Sequence, residues 1–145
     1  MNLAAIMIGG VVPSICLGLG TVLMRGSVGA GATIPAYLAA VGTTIAVIGW
    51  GSLLLTGNAM ASLKANAYAG AMGLSWSLAI ACIAYGMGPL KLPVSVVAPL
   101  TNSNALVAVL VGAIVFSEWR ELNMVAVGIG TLLICAGAVT ISLSR

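Results

Sequence analysis

Residues 97–110 read VAPLTNSNALVAVL. The chain on both sides is almost continuously apolar, yet the middle of this stretch holds Pro99 and four consecutive polar residues, Thr101, Asn102, Ser103 and Asn104. Read within the whole chain, the stretch is expected to be the inward-facing side of one transmembrane helix rather than an interruption of it.

Composition decides the solvent. Of 145 residues 61% are hydrophobic and 5% charged, and the mean hydropathy is +1.23. A soluble domain carries about 25% charged residues, so this chain has too little charge to build a water-facing surface. The expectation is an all-α integral membrane protein, a multi-pass component of the cytoplasmic (inner) membrane. The 19 glycines suit close helix contacts in a bilayer, where small residues let backbones approach.

Several functions are disfavoured by what is missing. The five basic residues give a net charge of +3 but stand singly, so no patch exists for nucleic acid. Histidine is absent, and the only acids are Glu118 and Glu121. Neither a metal site nor an acid/base pair is expected, so the chain reads as a non-enzyme without a cofactor. Cys16, Cys82 and Cys135 lie far apart inside apolar segments and read as buried small hydrophobes. Nothing resembles a cleavable leader, because the apolar run to Met24 lacks a charged start and is too long; it reads as the first span.

Crossing the hydrocarbon takes about 20 mostly apolar residues. Five windows qualify: 2–24, 34–56, 66–87, 93–117 and 122–143. The gaps between them, RGSVGAGATIP, TGNAMASLKAN, GMGPLKLP and SEWRE, are short and hold turn formers or basic residues. A single domain over residues 1–145 is therefore expected, a bundle of five antiparallel helices. Stripes of small residues recur at helical spacing. The longest, in the third window, runs through Gly70, Gly73, Ser77, Ala81, Ala84 and Gly88. Such stripes predict helix packing, not a substrate site.

Orientation is close to balanced. Lys64 and Arg120 fall on one side, and Arg25, Lys91 and Arg145 on the other. Counting the α-amino group makes the sides level, whereas a fixed orientation needs a clear excess of Lys/Arg on one side. The chain is expected either to insert with a weak bias or to insert both ways and pair with an inverted copy. An odd number of spans suits the second idea, since inverted repeats build many transporters.

At about 100° per residue, Asn104 lies about 60° to one side of Thr101 and Asn102 about 100° to the other. Ala98, Ala105, Ala108 and Gly112 share this side, while Val96, Leu100, Val107, Leu110, Val111 and Ile114 form a bulky opposite arc. Ser103 alone falls on the bulky arc, where it is expected to bond back to its own helix. Asn102 and Asn104 must face other helices or a wet cavity, since an unpaired amide in hydrocarbon costs several kcal/mol. Pro99 frees the carbonyl of Ser95 and is expected to kink the helix. Trp76 sits mid-span between Ser75 and Ser77, and Trp50 is well inside its own span. The predicted cavity set is thus Asn102, Asn104, Thr101, Trp76, Trp50 and Ser75. No ionisable residue stands mid-span, which disfavours proton coupling through a buried carboxylate. Tyr37, Tyr68, Tyr85 and Trp119 read as interfacial belt residues, and Glu118, Arg120 and Glu121 as interfacial charges.

Residues 93–137, PVSVVAPLTNSNALVAVLVGAIVFSEWRELNMVAVGIGTLLICAG, resemble the last two helices of an EamA-type repeat of the drug/metabolite transporter superfamily. The points of likeness are Pro99 after a small residue, the aliphatic run to Glu118, and Gly128, Leu133, Ile134 and Gly137. The first three spans agree in number and length only. The resemblance implies a transporter; most members carry two inverted five-helix repeats around a central cavity, and this chain holds one. Unlike the four-helix small multidrug members, the first span has no glutamate. The resulting expectation is a transporter half that moves a small polar or amphipathic metabolite by alternating access. It would pair with a second copy of itself or a paralogous half in the lipid bilayer. The rival expectation is a non-transporting accessory subunit of a larger membrane complex.

Overall fold

The structure is a computed structural model and describes residues 3–117 and 123–143. Glu118, Trp119, Arg120, Glu121 and Arg145, assigned above to membrane faces, lie outside the described residues. All regular structure among the described residues is helical: α1 (Leu3–Ile6), a π-helical turn (Met7–Val11), α2 (Val12–Gly29), α3 (Ile34–Thr56), α4 (Leu63–Met87), α5 (Val94–Asn102), α6 (Asn104–Val115) and α7 (Met124–Leu143). Four helical stretches are long and apolar enough to cross a membrane: Leu3–Gly29, Ile34–Thr56, Leu63–Met87 and Val94–Val115. A shorter apolar helix, Val125–Ile141, lies within α7.

The ends of α3 are written in the sequence. Thr33 caps the start by accepting from Ala36 N–H at 3.4 Å, and Pro35 fits a first turn whose N–H groups have no partner. Gly57 stops the helix in the left-handed conformation, φ 64°, with its N–H on Leu53 O, a conformation glycine adopts without steric cost. Ser62 caps α4 in the same way, accepting from Ala65 N–H at 3.3 Å. The π turn has a cause in Pro13. The proline ring cannot sit against the carbonyl four residues back, that of Gly9, and local widening of the helix relieves this.

The chain forms two units, residues Val22–Lys91 and the segments Met1–Thr21 with Leu92–Arg145. In Val22–Lys91, α3 packs on α4, and Met24, Ala84, Gly86 and Met87 are buried. Two contacts join the C-terminal parts of α2 and α4. Arg25 Nη1 donates to Met87 O, and Gly88 lies so close to Val28 that an added Cβ would meet Val28 Cγ1 at 2.5 Å. In the other unit α7 packs chiefly on α5 and also on α6. Among its described residues Val97, Ala113, Thr131 and Ala138 are buried, and the Thr131 hydroxyl is satisfied by Val127 O at 2.8 Å.

Five expectations change. The first helix continues to Gly29, because Arg25 is tied to α4 instead of opening a loop. The third helix begins at Leu63 instead of residue 66, because Ser62 caps it. The window 93–117 holds two helices separated at Ser103. The cysteines are not buried in this chain: Cys16 and Cys82 are exposed and Cys135 is half-buried. Of the small stripe on α4, only Ala84 and Gly88 are closely packed; Gly70 and Gly73 have nothing within 4 Å of an added Cβ.

Candidate functional site

Hydroxyl side chains in the long helices mostly hide within their own backbone. Ser14 donates to Gly10 O at 2.8 Å, Thr21 to Leu17 O at 3.0 Å and Thr44 to Ala40 O at 2.9 Å. Ser52 donates to Ile48 O at 2.7 Å and Thr140 to Ala136 O at 2.8 Å. These four-residue back-bonds satisfy a donor without water. Thr101 does the same over three residues, donating to Ala98 O at 3.0 Å.

The two asparagines of the opening stretch are held differently. Asn102 is the last residue of α5 and Asn104 the first of α6. Both are exposed on the chain, and neither side-chain amide bonds another described residue. An amide has donors and an acceptor to satisfy; Asn66 meets part of that need by donating to Ala61 O at 3.0 Å, and Asn102 and Asn104 make no such bond. These two amides are thus unsatisfied polar groups at the centre of an apolar stretch.

The backbone between them is also unusual. Ser103 has φ −64° and ψ −8°, well short of the helical ψ near −42°. Its N–H bonds Leu100 O at 3.1 Å, and Ser103 O accepts from Leu106 N–H at 3.1 Å. Two three-residue bonds therefore replace four-residue ones, the pattern of a mid-helix hinge. Pro99 stands inside α5, four residues before the break. The Ser103 N–H that would ordinarily reach Pro99 O is on Leu100 instead. An interruption does occur, and it falls at Ser103 rather than at the proline ring.

The break resets the helical phase, which explains where angular reasoning departs from the structure. Ser103 is half-buried and its hydroxyl makes no back-bond, whereas the two asparagines are exposed. Of the bulky arc, Leu100, Val107, Leu110, Val111 and Ile114 are exposed, and Val96 is half-buried. Pro99 and Thr101 are half-buried.

Asn102 and Asn104 flank the break, and Thr101 stands two residues before it. The other predicted cavity residues belong to Val22–Lys91. Trp50 is exposed on α3, Ser75 is exposed on α4 and Trp76 is half-buried beside it. An open depression on α3, lined by Ala40, Val41, Thr44 and Ile45, holds none of the predicted residues.

Known families, curated proteins and solved structures offer no counterpart to this geometry: the chain matches none of them.

Proposed function

We propose that this chain is a multi-pass membrane protein of the cytoplasmic membrane and one half of a transporter of the drug/metabolite type. Two copies, inverted with respect to each other, would enclose a pathway for a small polar or amphipathic solute. One observation carries the reading: the discontinuity at Ser103 between two exposed, unpartnered asparagine amides, midway along the apolar stretch Val94–Val115. Transporters place their substrate sites at broken helices near the bilayer midplane, where freed backbone groups and polar side chains can meet a solute. A single copy leaves Asn102 and Asn104 uncovered, and hydrocarbon cannot cover them without a penalty of several kcal/mol. A second copy enclosing a wet cavity does.

In this reading Asn102 and Asn104 contact the solute, and Thr101, already satisfied by Ala98 O, shapes the wall. The uncovered small faces at Gly70 and Gly73 supply close-packing surface for the second copy. Five crossings per copy, with α7 as the fifth, give the odd number that inversion of a repeat requires. The test is transport in proteoliposomes of a solute first found by thermal-shift screening of the purified protein. Asn102→Ala and Asn104→Ala should each impair uptake while the dimer stays intact. Normal uptake by both variants would overturn the assignment.

A further inference from the structure

The unit Val22–Lys91 ends in a cationic corner that it does not neutralise. Arg25 lies one turn before the end of α2, is half-buried, and donates from Nη1 to Met87 O at the end of α4. Four residues after Met87 the chain turns at Lys91, which is exposed and holds φ 56° with its N–H on Gly88 O at 3.1 Å. The turn thereby keeps Lys91 at the same end of α4 that Arg25 occupies. No Asp or Glu occurs in Val22–Lys91. The negative end of the α4 dipole offsets about half a charge, leaving most of the charge of the two cations unpaired. The guanidinium keeps further N–H donors beyond the one on Met87 O.

We infer that Arg25 and Lys91 form a binding site for a phosphate group, and that the phosphate is the headgroup of an anionic phospholipid. The inference rests on the membrane reading above. A guanidinium fork takes phosphate through two parallel bonds, and a neighbouring ammonium adds a point charge. The lipid source follows from position. The corner lies where an apolar helix ends, with Tyr85 51% exposed on the last turn of α4 and Leu90 59% exposed in the turn. Basic residues at such ends attract anionic headgroups, and tyrosine favours the same depth.

The experiment uses the full chain, purified in a neutral detergent, with thermal unfolding followed by tryptophan fluorescence. Phosphatidylglycerol, phosphatidylcholine and inorganic phosphate are titrated separately. Phosphatidylglycerol should raise the unfolding temperature saturably and phosphatidylcholine should not. Arg25→Gln should weaken the apparent phosphatidylglycerol affinity about tenfold, through loss of the paired bonds. Lys91→Gln should weaken it severalfold and Lys64→Gln should leave it unchanged. Because Lys91 and Lys64 are both exposed, their comparison stands even if Arg25→Gln fails to fold. Equal effects of the two lipids, or equal weakening by Lys64→Gln and Lys91→Gln, would overturn the site. Protection by inorganic phosphate without any from phosphatidylglycerol would overturn the lipid assignment. The membrane reading is checked apart from this, by recovery of the chain in alkaline-washed membranes.

Discussion

Arg25 Nη1 donates to the main-chain carbonyl of Met87, joining the C-terminal part of α2 to the last turn of α4 across 62 residues of sequence. The final carbonyls of a helix lack partners within it, and a cation there also meets the negative end of the dipole. Arg25→Leu should therefore lower unfolding stability by about 1–3 kcal/mol, the cost of leaving a polar group unsatisfied. Arg25→Lys should recover part of the loss, since it keeps the charge without the fork. Unfolding in mixed micelles measures both, and a neutral Arg25→Leu would show that the contact contributes nothing.

Gly88 and Val28 make a sharper test of the same junction. An alanine Cβ at 88 would stand 2.5 Å from Val28 Cγ1 and 3.0 Å from Ala84 O. Gly88→Ala should destabilise by about 1–3 kcal/mol, as overpacked cores do. Val28→Ala removes Cγ1 and should restore a large part of that loss in the double variant. Additive effects in the double-mutant cycle would contradict the close approach. Gly70→Ala, with open space around it in one copy, should leave monomer stability unchanged.

The break at Ser103 separates stability from function. Replacing Pro99 by alanine returns an N–H to α5 and removes a ring that an uninterrupted helix disfavours by about 3 kcal/mol. Pro99→Ala should raise or preserve the unfolding temperature while reducing transport. A fall in both together would mean that the proline supports folding rather than the hinge.

Orientation is open to a direct reading. Five crossings would put Lys64 and Arg120 on one side and Arg25, Lys91 and Arg145 on the other, so reporter fusions after Arg145 should show both cytoplasmic and external signal. Adding two lysines to the segment between α3 and α4 should shift the fusions to a single orientation. One-sided signal in the unmodified chain would exclude an inverted pair and favour a parallel or mixed assembly.

Much of the fold was legible where its determinants are local. Thr33, Pro35 and Gly57 bound α3 within the sequence that they cap, and the expected window 34–56 coincides with Ile34–Thr56. Arg25 misled because its charge marks a loop in any hydropathy window, while its partner, Met87 O, lies 62 residues away. The π turn at Met7–Val11 went unforeseen although Pro13 stands two residues beyond it. At the candidate site the residue types were readable, since two asparagines in an apolar run demand partners. Their placement was not. A constant 100° per residue carries the helical phase straight through Ser103, where the backbone does not follow it.

The central claim is that Asn102 and Asn104 face water, and cysteine labelling tests it without knowledge of the solute. Cys16, Cys82 and Cys135 are first replaced by alanine. Single cysteines are then placed at 102 and 104, and, on the bulky arc, at Val107 and Ile114, which are 62% and 76% exposed on one copy. A thiol reacts as its thiolate, which forms in water and not in hydrocarbon. A charged, water-soluble maleimide should therefore label positions 102 and 104 in membranes about tenfold faster than 107 and 114. Labelling at 102 and 104 no faster than at 107 and 114 would contradict the account.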